Sequence, residues 1–300
     1  MTVPVTERSP GPGPGAAQAV TAAQAVPVAP ARHGWPILDA LESGRRRAAW
    51  PDPTAVGGWR VDPGVRQEIL ALFRDRTAVS WEIGGLFGFR DRASLPLKAL
   101  VGSGPGAADR ALPAEADTWR IVPGGTSIRS GVYLGRDVTI LPPSFVNVGA
   151  WIGERTMVDS HVLVGSCAQV GTGVHLSAGV QVGGVLEPEN GRPVIVEDDA
   201  FVGAQCGLFD GVLVRRRAVL AAGVVLTGTG RLYDCVRGEV RQGSAGSPLE
   251  VPEEAVVIPG SRRLPGEFAE AHGLSAATAV IVKYRDARTD ARVALEQALR

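Results

Sequence analysis

Aliphatic residues return at every sixth position through the middle of this chain. The first series comprises Val122, Ile128, Leu134, Ile140, Val146, Ile152, Val158, Val164, Val170, Leu176 and Val182. After the segment LEPENGRPV at residues 186–194, a second series comprises Val196, Val202, Leu208, Val214, Leu220, Leu226 and Leu232. An α-helix would need a period of about 3.6 residues and an ordinary strand a period of 2, and neither fits. The pattern therefore predicts short strands separated by turns of constant length.

A second pattern accompanies the first. Four residues after each aliphatic position the side chain is small or β-branched, and the residue directly after it is often glycine, as at Gly135, Gly153 and Gly165. Together these features predict a left-handed parallel β-helix of the hexapeptide-repeat type, a prism of three flat sheets with aliphatic residues pointing inward. Roughly 18 hexads then stack into about six coils. We expect the glycines to relieve the φ constraint of the corner turns.

The chain is expected to contain four regions and to be mainly β. They are a disordered tail at residues 1–34, a small, mainly helical N-terminal domain with a linker at 35–115, the β-helix at 116–246 and a C-terminal extension at 247–300. The tail is almost entirely Ala, Pro, Gly, Val and Gln, without periodicity. Two helices are predicted, one from the spacing of Ile37, Leu38 and Leu41 and one that begins after Asp62.

Charge and cysteine content narrow the classes of partner. The 31 basic and 31 acidic residues balance, so nothing favours nucleic acid or a membrane surface, and a small-molecule substrate is expected. No apolar run has the length of a membrane span and no leader pattern is present, so we expect a cytoplasmic protein. The three cysteines lack ligand spacing, so no metal site is predicted.

Prisms of this kind are expected to assemble as homotrimers. One flat sheet of each copy can pack on its neighbour, and a three-fold ring closes the contact. The cleft between neighbours would then hold a ligand. A long, thin, amide-bearing pantetheine arm suits such a groove, because it can bond to backbone groups at successive corners.

Residues 145–188 resemble the tetrahydrodipicolinate N-succinyltransferase family. The motifs MVD, VGSCAQ, VHLS and GGVLEP carry the resemblance, and it extends to WRIVP at residues 119–123 and to the segment at residues 279–300. The resemblance implies CoA-dependent acyl transfer, from succinyl-CoA or a related donor, to the amine of an amino-dicarboxylic or similar amino acid. It also implies that the C-terminal segment packs near the CoA.

The resemblance places site residues at matching positions. Arg120 corresponds to an arginine that grips a substrate carboxylate, and Asp159 to an aspartate near the substrate amine with a catalytic part. Asn147 completes the substrate-binding set. For Arg120 and Asp159 the alternative is a solvated surface charge. For CoA, the resemblance implies Ala222, Gly223 and Lys283, the lysine as a point charge for a phosphate.

The chain departs from the family where chemistry is expected. An Arg-Ser-Glu run, whose glutamate is associated with acyl transfer, is matched here by Gln205, Cys206 and Gly207. Ser160 and His161 replace a Thr-Trp pair, and the triplet at 215–217 is Arg-Arg-Arg where the family is acidic. The changes indicate retained core packing with altered site chemistry, and favour a relative used in specialised metabolism.

With the glutamate absent, the proton of the attacking amine needs another acceptor. His161 lies two residues from Asp159 and imidazole titrates in the appropriate range, so we predict an Asp159/His161 catalytic site. The alternative is an exposed histidine on a strand. His175 either lines the cleft or is structural, Cys206 is expected to be a packed thiol, and the arginine triplet either meets CoA or forms a charged outer turn.

Two further functions stay open. The chain could be a catalytically silent trimer that binds a metabolite or a partner, which the loss of the glutamate would explain. It could also catalyse a different reaction in the same cleft.

Overall fold

The structure is a computed structural model, and it describes residues 34–83, 87–100, 119–186, 191–244 and 246–290. Almost all of the tail predicted at 1–34 and the whole linker at 102–116 lie outside these residues. The last part of the C-terminal extension, residues 291–300, also does.

The N-terminal segment contains both predicted helices and four strands. Its elements are α1 (Pro36–Glu42), β1 (Ala49–Pro51), a 3-10 turn (Val56–Gly58), β2 (Trp59–Val61), α2 (Pro63–Arg74), β3 (Ala78–Ile83) and β4 (Phe87–Arg92). Asp62 caps α2, since its Oδ1 accepts the backbone N–H groups of Gly64 and Val65. The antiparallel pairs β1 with β2 and β3 with β4 were not predicted. Strands as short as β1 and β2, three residues each, show no readable alternation.

Two-residue strands then follow one another around a prism. They are β5 (Arg120–Ile121), β6 (Ser127–Ile128), β7 (Tyr133–Leu134), β8 (Thr139–Ile140), β9 (Phe145–Val146), β10 (Trp151–Ile152), β11 (Met157–Val158), β12 (Leu163–Val164), β13 (Gln169–Val170), β14 (His175–Leu176), β15 (Gln181–Val182), β16 (Ile195–Val196), β17 (Phe201–Val202), β18 (Gly207–Leu208), β19 (Leu213–Val214), β20 (Val219–Leu220) and β21 (Val225–Leu226).

The C-terminal part consists of longer strands and one short helix. They are β22 (Arg231–Asp234), β23 (Glu239–Gln242), β24 (Glu250–Val251), β25 (Ala255–Arg263), α3 (Glu267–Ala271) and β26 (Ser275–Tyr284). Strand β24 continues the coil on β19, and β25 continues it on β20. Strand β26 then pairs antiparallel with β25 and parallel with β22.

Three sheets form the sides of the prism. Sheet I has the order β23-β22-β26-β25-β20-β17-β14-β11-β8-β5, sheet II β21-β18-β15-β12-β9-β6 and sheet III β24-β19-β16-β13-β10-β7. Strands of successive coils pair in parallel and in register, for example Met157 with His175. This topology confirms the predicted parallel β-helix. We name the corners I–II, II–III and III–I after the sheets they join.

The second residue of each coil strand points inward. These residues and the small corner residues form one continuous buried core, from Ile128 to Ile281. The first hexad is an exception, because Ile121 pairs with Ile140 and takes the inward position in place of the predicted Val122. The extra residue in the Gly124-Gly125 turn causes this shift, so the six-residue frame begins at Ile128.

The corner glycines have a different role from the one predicted. Gly135, Gly153 and Gly165 do not adopt a positive φ. They are needed because the coils stack closely, so that a Cβ added at Gly153 would lie 2.5 Å from the carbonyl carbon of Gly171. The left-handed residue comes two positions later in the turn, and non-glycine residues there are Asp137, Arg155, His161, Cys167, Asp199, Gln205, Arg217 and Glu254.

The N-terminal segment covers sheet III and corner II–III. Helices α1 and α2 pack their apolar residues on the corner residues Val148, Cys167 and Val185. Ala49 and Trp59 pack on the outward residues Ile195 and Leu213 of sheet III. Within the described ranges, no comparable hydrophobic cluster joins the N-terminal segment to the outward faces of sheets I and II.

Candidate active site

Corner I–II brings together most of the predicted site residues. Its turns stack through backbone hydrogen bonds, including His161 N to Pro143 O at 2.7 Å and Gly179 N to Ser160 O at 2.8 Å. The stack continues from Gln205 to Ala178 and from Gly223 to Ala204, both at 2.9 Å. Asp159, His161, Ala222 and Gly223 therefore lie along one edge of the prism.

Asp159 and His161 occupy the same turn of this edge. The Oδ1 atom of Asp159 accepts the backbone N–H of Ser160 at 2.6 Å, which holds the half-buried carboxylate beside the turn. His161 is exposed and has a φ of 62°. Within the described residues, no hydrogen bond joins the two side chains, so each is available to a ligand. The left-handed φ is general to these corners and is not by itself a sign of function.

Arg120 lies on the neighbouring sheet. It is exposed at the outward position of β5 and pairs with Thr139, which in turn pairs with Met157, two residues before Asp159. Arg120 and Asp159 are therefore separated by two coil steps, or about 10 Å along the prism axis. An amino acid with a carboxylate at one end and an amine at the other can span that separation.

Asn147 and Lys283 do not join this edge. Asn147 lies at corner II–III, across sheet II from Asp159, and its Oδ1 accepts the backbone N–H of Val148 at 2.9 Å. Lys283 pairs with Val256 on the side of sheet I toward corner III–I. Its Nζ lies 2.9 Å from Oδ2 of Asp286. Within one chain, Lys283 and the pair Ala222-Gly223 are thus on opposite sides of sheet I.

Cys206 is a core residue. It is fully buried at a small-residue corner position, and its Sγ donates to the carbonyl oxygen of Ala221 at 3.1 Å. Burial raises the pKa of the Cys206 thiol above its ordinary value. Because the thiolate is the nucleophilic form, this environment opposes a covalent role for Cys206.

Phe209 occupies the space above Gly207. A Cβ added at Gly207 would lie 2.6 Å from Cε2 of the Phe209 ring, and one added at Gly183 would lie 2.9 Å from its Cδ1. The position that the resemblance associates with a glutamate is thus a bare strand backbone beneath a phenyl ring. Sequence reasoning missed Phe209, although an aromatic residue two positions after an outward glycine is a usable signal.

His175, Phe201 and Gln181 were also outside the predicted catalytic set. His175 and Phe201 are outward neighbours on sheet I, and their rings stack at 4.8 Å between centroids. The Gln181 Nε2 donates to the carbonyl oxygens of Gly179 at 3.2 Å and of His161 at 3.4 Å. The residue before each inward aliphatic faces outward, so the six-residue frame itself could have found all three.

The arginine triplet forms a charged outer turn that is already paired. Arg215 contacts Glu197 and Glu250, at 2.9 Å and 2.8 Å. Arg216 contacts Glu253, and Arg217 contacts Glu254 and Asp290. These carboxylates come from an adjacent coil and from the C-terminal extension. The triplet therefore binds elements of this chain together.

The described residues contain neither a metal-ligand cluster nor a helix that could cross a membrane. Those residues contain no group of three or more His, Cys, Asp or Glu side chains placed to hold a metal ion. None of the helices in the described ranges is long and apolar enough to cross a membrane.

Comparison with curated proteins identifies the family of this chain. Residues 193–228 match the hexapeptide repeat of succinyl-transferase. The chain is 39% identical to the 2,3,4,5-tetrahydropyridine-2,6-dicarboxylate N-succinyltransferase of Polynucleobacter asymbioticus, over 88% of this chain and 87% of that protein. It is 42% identical to the enzyme of the same name from Rhodopseudomonas palustris, with the same coverage.

A solved chain from Campylobacter jejuni, described as a 2,3,4,5-tetrahydropyridine-2-carboxylate N-succinyltransferase, is more distant. It is 17% identical with a TM-score of 0.49, and the match covers 86% of this chain and 63% of that one. The relationship to the family is established by the Polynucleobacter and Rhodopseudomonas enzymes, which are about 40% identical to this chain over most of their length. The coil geometry agrees with it. The chain belongs to the 2,3,4,5-tetrahydropyridine-2,6-dicarboxylate N-succinyltransferase family and is an acyltransferase.

Proposed function

We propose that this protein transfers an acyl group from acyl-CoA to the amine of an amino acid at corner I–II, with Asp159 and His161 as its catalytic residues. Succinyl-CoA or a related thioester is the donor, and an amino-dicarboxylic or similar amino acid is the acceptor. The observation that carries the proposal is the placement of Asp159 and His161 on one open turn, while Gly207 leaves no carboxylate on the adjoining sheet.

The reaction requires one proton transfer at the amine. The amine nitrogen attacks the thioester carbonyl, a C–N bond forms and the C–S bond breaks. His161 accepts the proton that the nitrogen loses and returns it to the departing thiolate, so that the amide and free CoA thiol are the products. The Asp159 carboxylate accepts a hydrogen bond from the neutral amine of the acceptor and orients its nitrogen. Arg120 binds an acceptor carboxylate through its planar guanidinium.

CoA is assigned to the later coils and the C-terminal extension. Ala222 and Gly223 expose backbone at corner I–II, where the amides of a pantetheine arm can bond. Lys283 supplies positive charge for a CoA phosphate and would exchange its ion pair with Asp286 for that contact. Asn147 contributes to acceptor binding from the opposite edge of sheet II, which requires a second copy of the chain.

We propose that the protein is a homotrimer. One reason is that Asn147 can reach the acceptor only from a second copy, and the other is the character of the outward residues on sheets I and II. Both of these sheets carry apolar outward residues, among them Met157, Phe201 and Val219 on sheet I and Phe145, Leu163 and Val225 on sheet II. A ring of three copies can bury both sheets and place corner II–III of one copy beside corner I–II of the next. An altered active site of this kind suits a specialised biosynthetic pathway.

The test is a paired histidine substitution. Release of CoA thiol from succinyl-CoA is measured with L-2-aminopimelate as the acceptor. We expect His161→Ala to lower kcat by about 10²- to 10⁴-fold, the usual contribution of a general base. His272→Ala is the matched control, because His272 is an exposed histidine at the end of α3 with no part in the proposed proton transfer; it should leave turnover unchanged.

The outcomes separate the competing functions. Unchanged turnover in His161→Ala would remove histidine base catalysis from the proposal. A protein that is stabilised by CoA against heat but releases no thiol with any amine would instead be the silent binding trimer. Products other than the N-acyl amino acid, identified by mass spectrometry, would indicate a different reaction in the same cleft.

A further inference from the structure

Two glycines on sheet II and its edge form a flat seat for an aromatic ring. Gly183 follows β15 and Gly207 begins β18, in adjacent coils. The Phe209 ring lies over both, since a Cβ at either position would come within 2.9 Å of a ring carbon. We call Gly183 and Gly207 the glycine shelf. Any side chain on the shelf at 207 would displace the ring, so the glycines and Phe209 form one unit.

This unit is continuous with the proposed catalytic corner. Gly207 pairs with Gln181, and the Gln181 side chain donates to the carbonyl oxygen of His161 at 3.4 Å. Along the prism axis, Gly183 lies one coil step and Gly207 two coil steps, or about 10 Å, from the coil of His161. A substrate chain of several carbons that reacts at His161 can therefore reach the ring.

Among the described residues, the outward positions of sheet II beside the ring hold no charged side chain. Outward positions on sheet II are Ser127, Phe145, Leu163, Gln181, Gly207 and Val225. A substrate carboxylate placed there would lose water without gaining a charged partner, which is costly. An apolar chain in the same place would gain from contact with the phenyl ring.

We propose that Phe209 is a specificity-determining residue: its ring, held on the glycine shelf, binds an uncharged apolar chain of a substrate and disfavours a chain that ends in a carboxylate. This inference depends on the acyl transfer proposed above. The apolar chain that the ring binds is either part of the acyl group of the donor or part of the side chain of the amine acceptor. One of the two substrates therefore departs from the dicarboxylate form.

The experiment compares matched substrate pairs in the full-length protein. Butyryl-CoA and succinyl-CoA are four-carbon donors that differ by the terminal carboxylate. L-2-aminoheptanoate and L-2-aminopimelate are seven-carbon acceptors that differ in the same way. The ratio of kcat/KM, apolar member over dicarboxylate member, is measured in each pair. We expect Phe209→Val to lower this ratio roughly tenfold in one pair, which identifies whether donor or acceptor meets the ring.

Two further variants make the test decisive. Phe89→Val removes a ring from the remote strand β4, where Phe89 stacks on Trp81, and should leave both ratios unchanged. Phe209→Leu keeps an apolar side chain and serves if Phe209→Val unfolds, with an expected drop of roughly threefold. Transfer with both ratios insensitive to residue 209 would overturn this inference alone. Absence of transfer with every pair in the unmodified protein would overturn the proposed function as well.

Discussion

Arg47 is a buried cation that joins the N-terminal segment to the prism. Its guanidinium carbon lies 4.1 Å from the ring centroid of Trp151, 5.2 Å from that of Trp59 and 6.0 Å from that of Trp50. Its Nε donates to Oε1 of the fully buried Gln169 at 2.5 Å. Burial lowers the pKa of Arg47 to about 10, so the group is still charged at neutral pH. Aromatic faces thus take the place of a carboxylate partner.

Removal of Arg47 should destabilise the protein strongly. Arg47→Ala leaves a space between indole rings and an unpaired amide oxygen on Gln169, so we expect a loss of about 2–4 kcal/mol. Arg47→Lys keeps the charge but loses the planar stacking, and an intermediate loss is expected. Denaturant unfolding measures both. Arg45→Ala, at an exposed neighbouring position, should change the free energy of unfolding by less than about 0.5 kcal/mol; an equal loss there would contradict a role for the ring contacts.

At the scale of elements, the coil turn is limited by contact between coils. Gly153 begins a turn directly against the turn of the next coil, and a methyl group there would meet backbone that has no free space to move into. This explains why glycine recurs after the inward aliphatic residue even though the backbone there has an ordinary φ. The cost of a side chain at this position is steric.

A glycine comparison tests this. Gly153→Ala should lower the free energy of unfolding by about 3 kcal/mol, the upper range for overpacked sites, because backbone atoms 2.5 Å from the added Cβ must shift. Gly88→Ala in β4, with no atom within 4 Å of the added Cβ, should change it by at most about 0.5 kcal/mol. Thermal unfolding measures the difference. Similar midpoints for the two variants would show that the coils separate easily.

The arginine triplet shows how elements distant in sequence are joined. Trp59 from the N-terminal segment donates to Oε1 of Glu197 at 2.8 Å, and Glu197 also pairs with Arg215. Arg215 in turn reaches Glu250 of the C-terminal extension. A single chain of polar contacts therefore connects the N-terminal segment, the coils and the extension along one side of the prism.

For the whole molecule, assembly should depend on sheet II. Val225→Asp places a charge on a side chain that is 57% exposed in the single chain and buried in the proposed trimer. We expect the unmodified protein to sediment as three copies of its 31.2 kDa chain and Val225→Asp to dissociate. Val236→Asp, at a residue 54% exposed in the turn after β22, should stay trimeric. A monomer at micromolar concentration for the unmodified protein would contradict the trimer.

The sequence by itself determined the coil, its three-sheet register and most of its interior. Each coil buries the same inward positions, so an aliphatic side chain is required at every sixth residue. That requirement can be recognised in the sequence. The structure added that Asp159 and His161 lie in a corner turn, a position that the six-residue frame implies because both follow the inward Val158. The frame error at Val122 arose where two glycines lengthen a turn and the period fails.

Only the tertiary structure decided which outward side chains meet. The Phe209 ring over Gly183 and Gly207, the aromatic rings around Arg47 and the carboxylates around the arginine triplet join residues that lie far apart along the chain. Such contacts depend on how coils stack and where the terminal segments dock, and no local period encodes either. For the same reason, the sequence could name the missing glutamate at position 207 but not the ring that occupies its place.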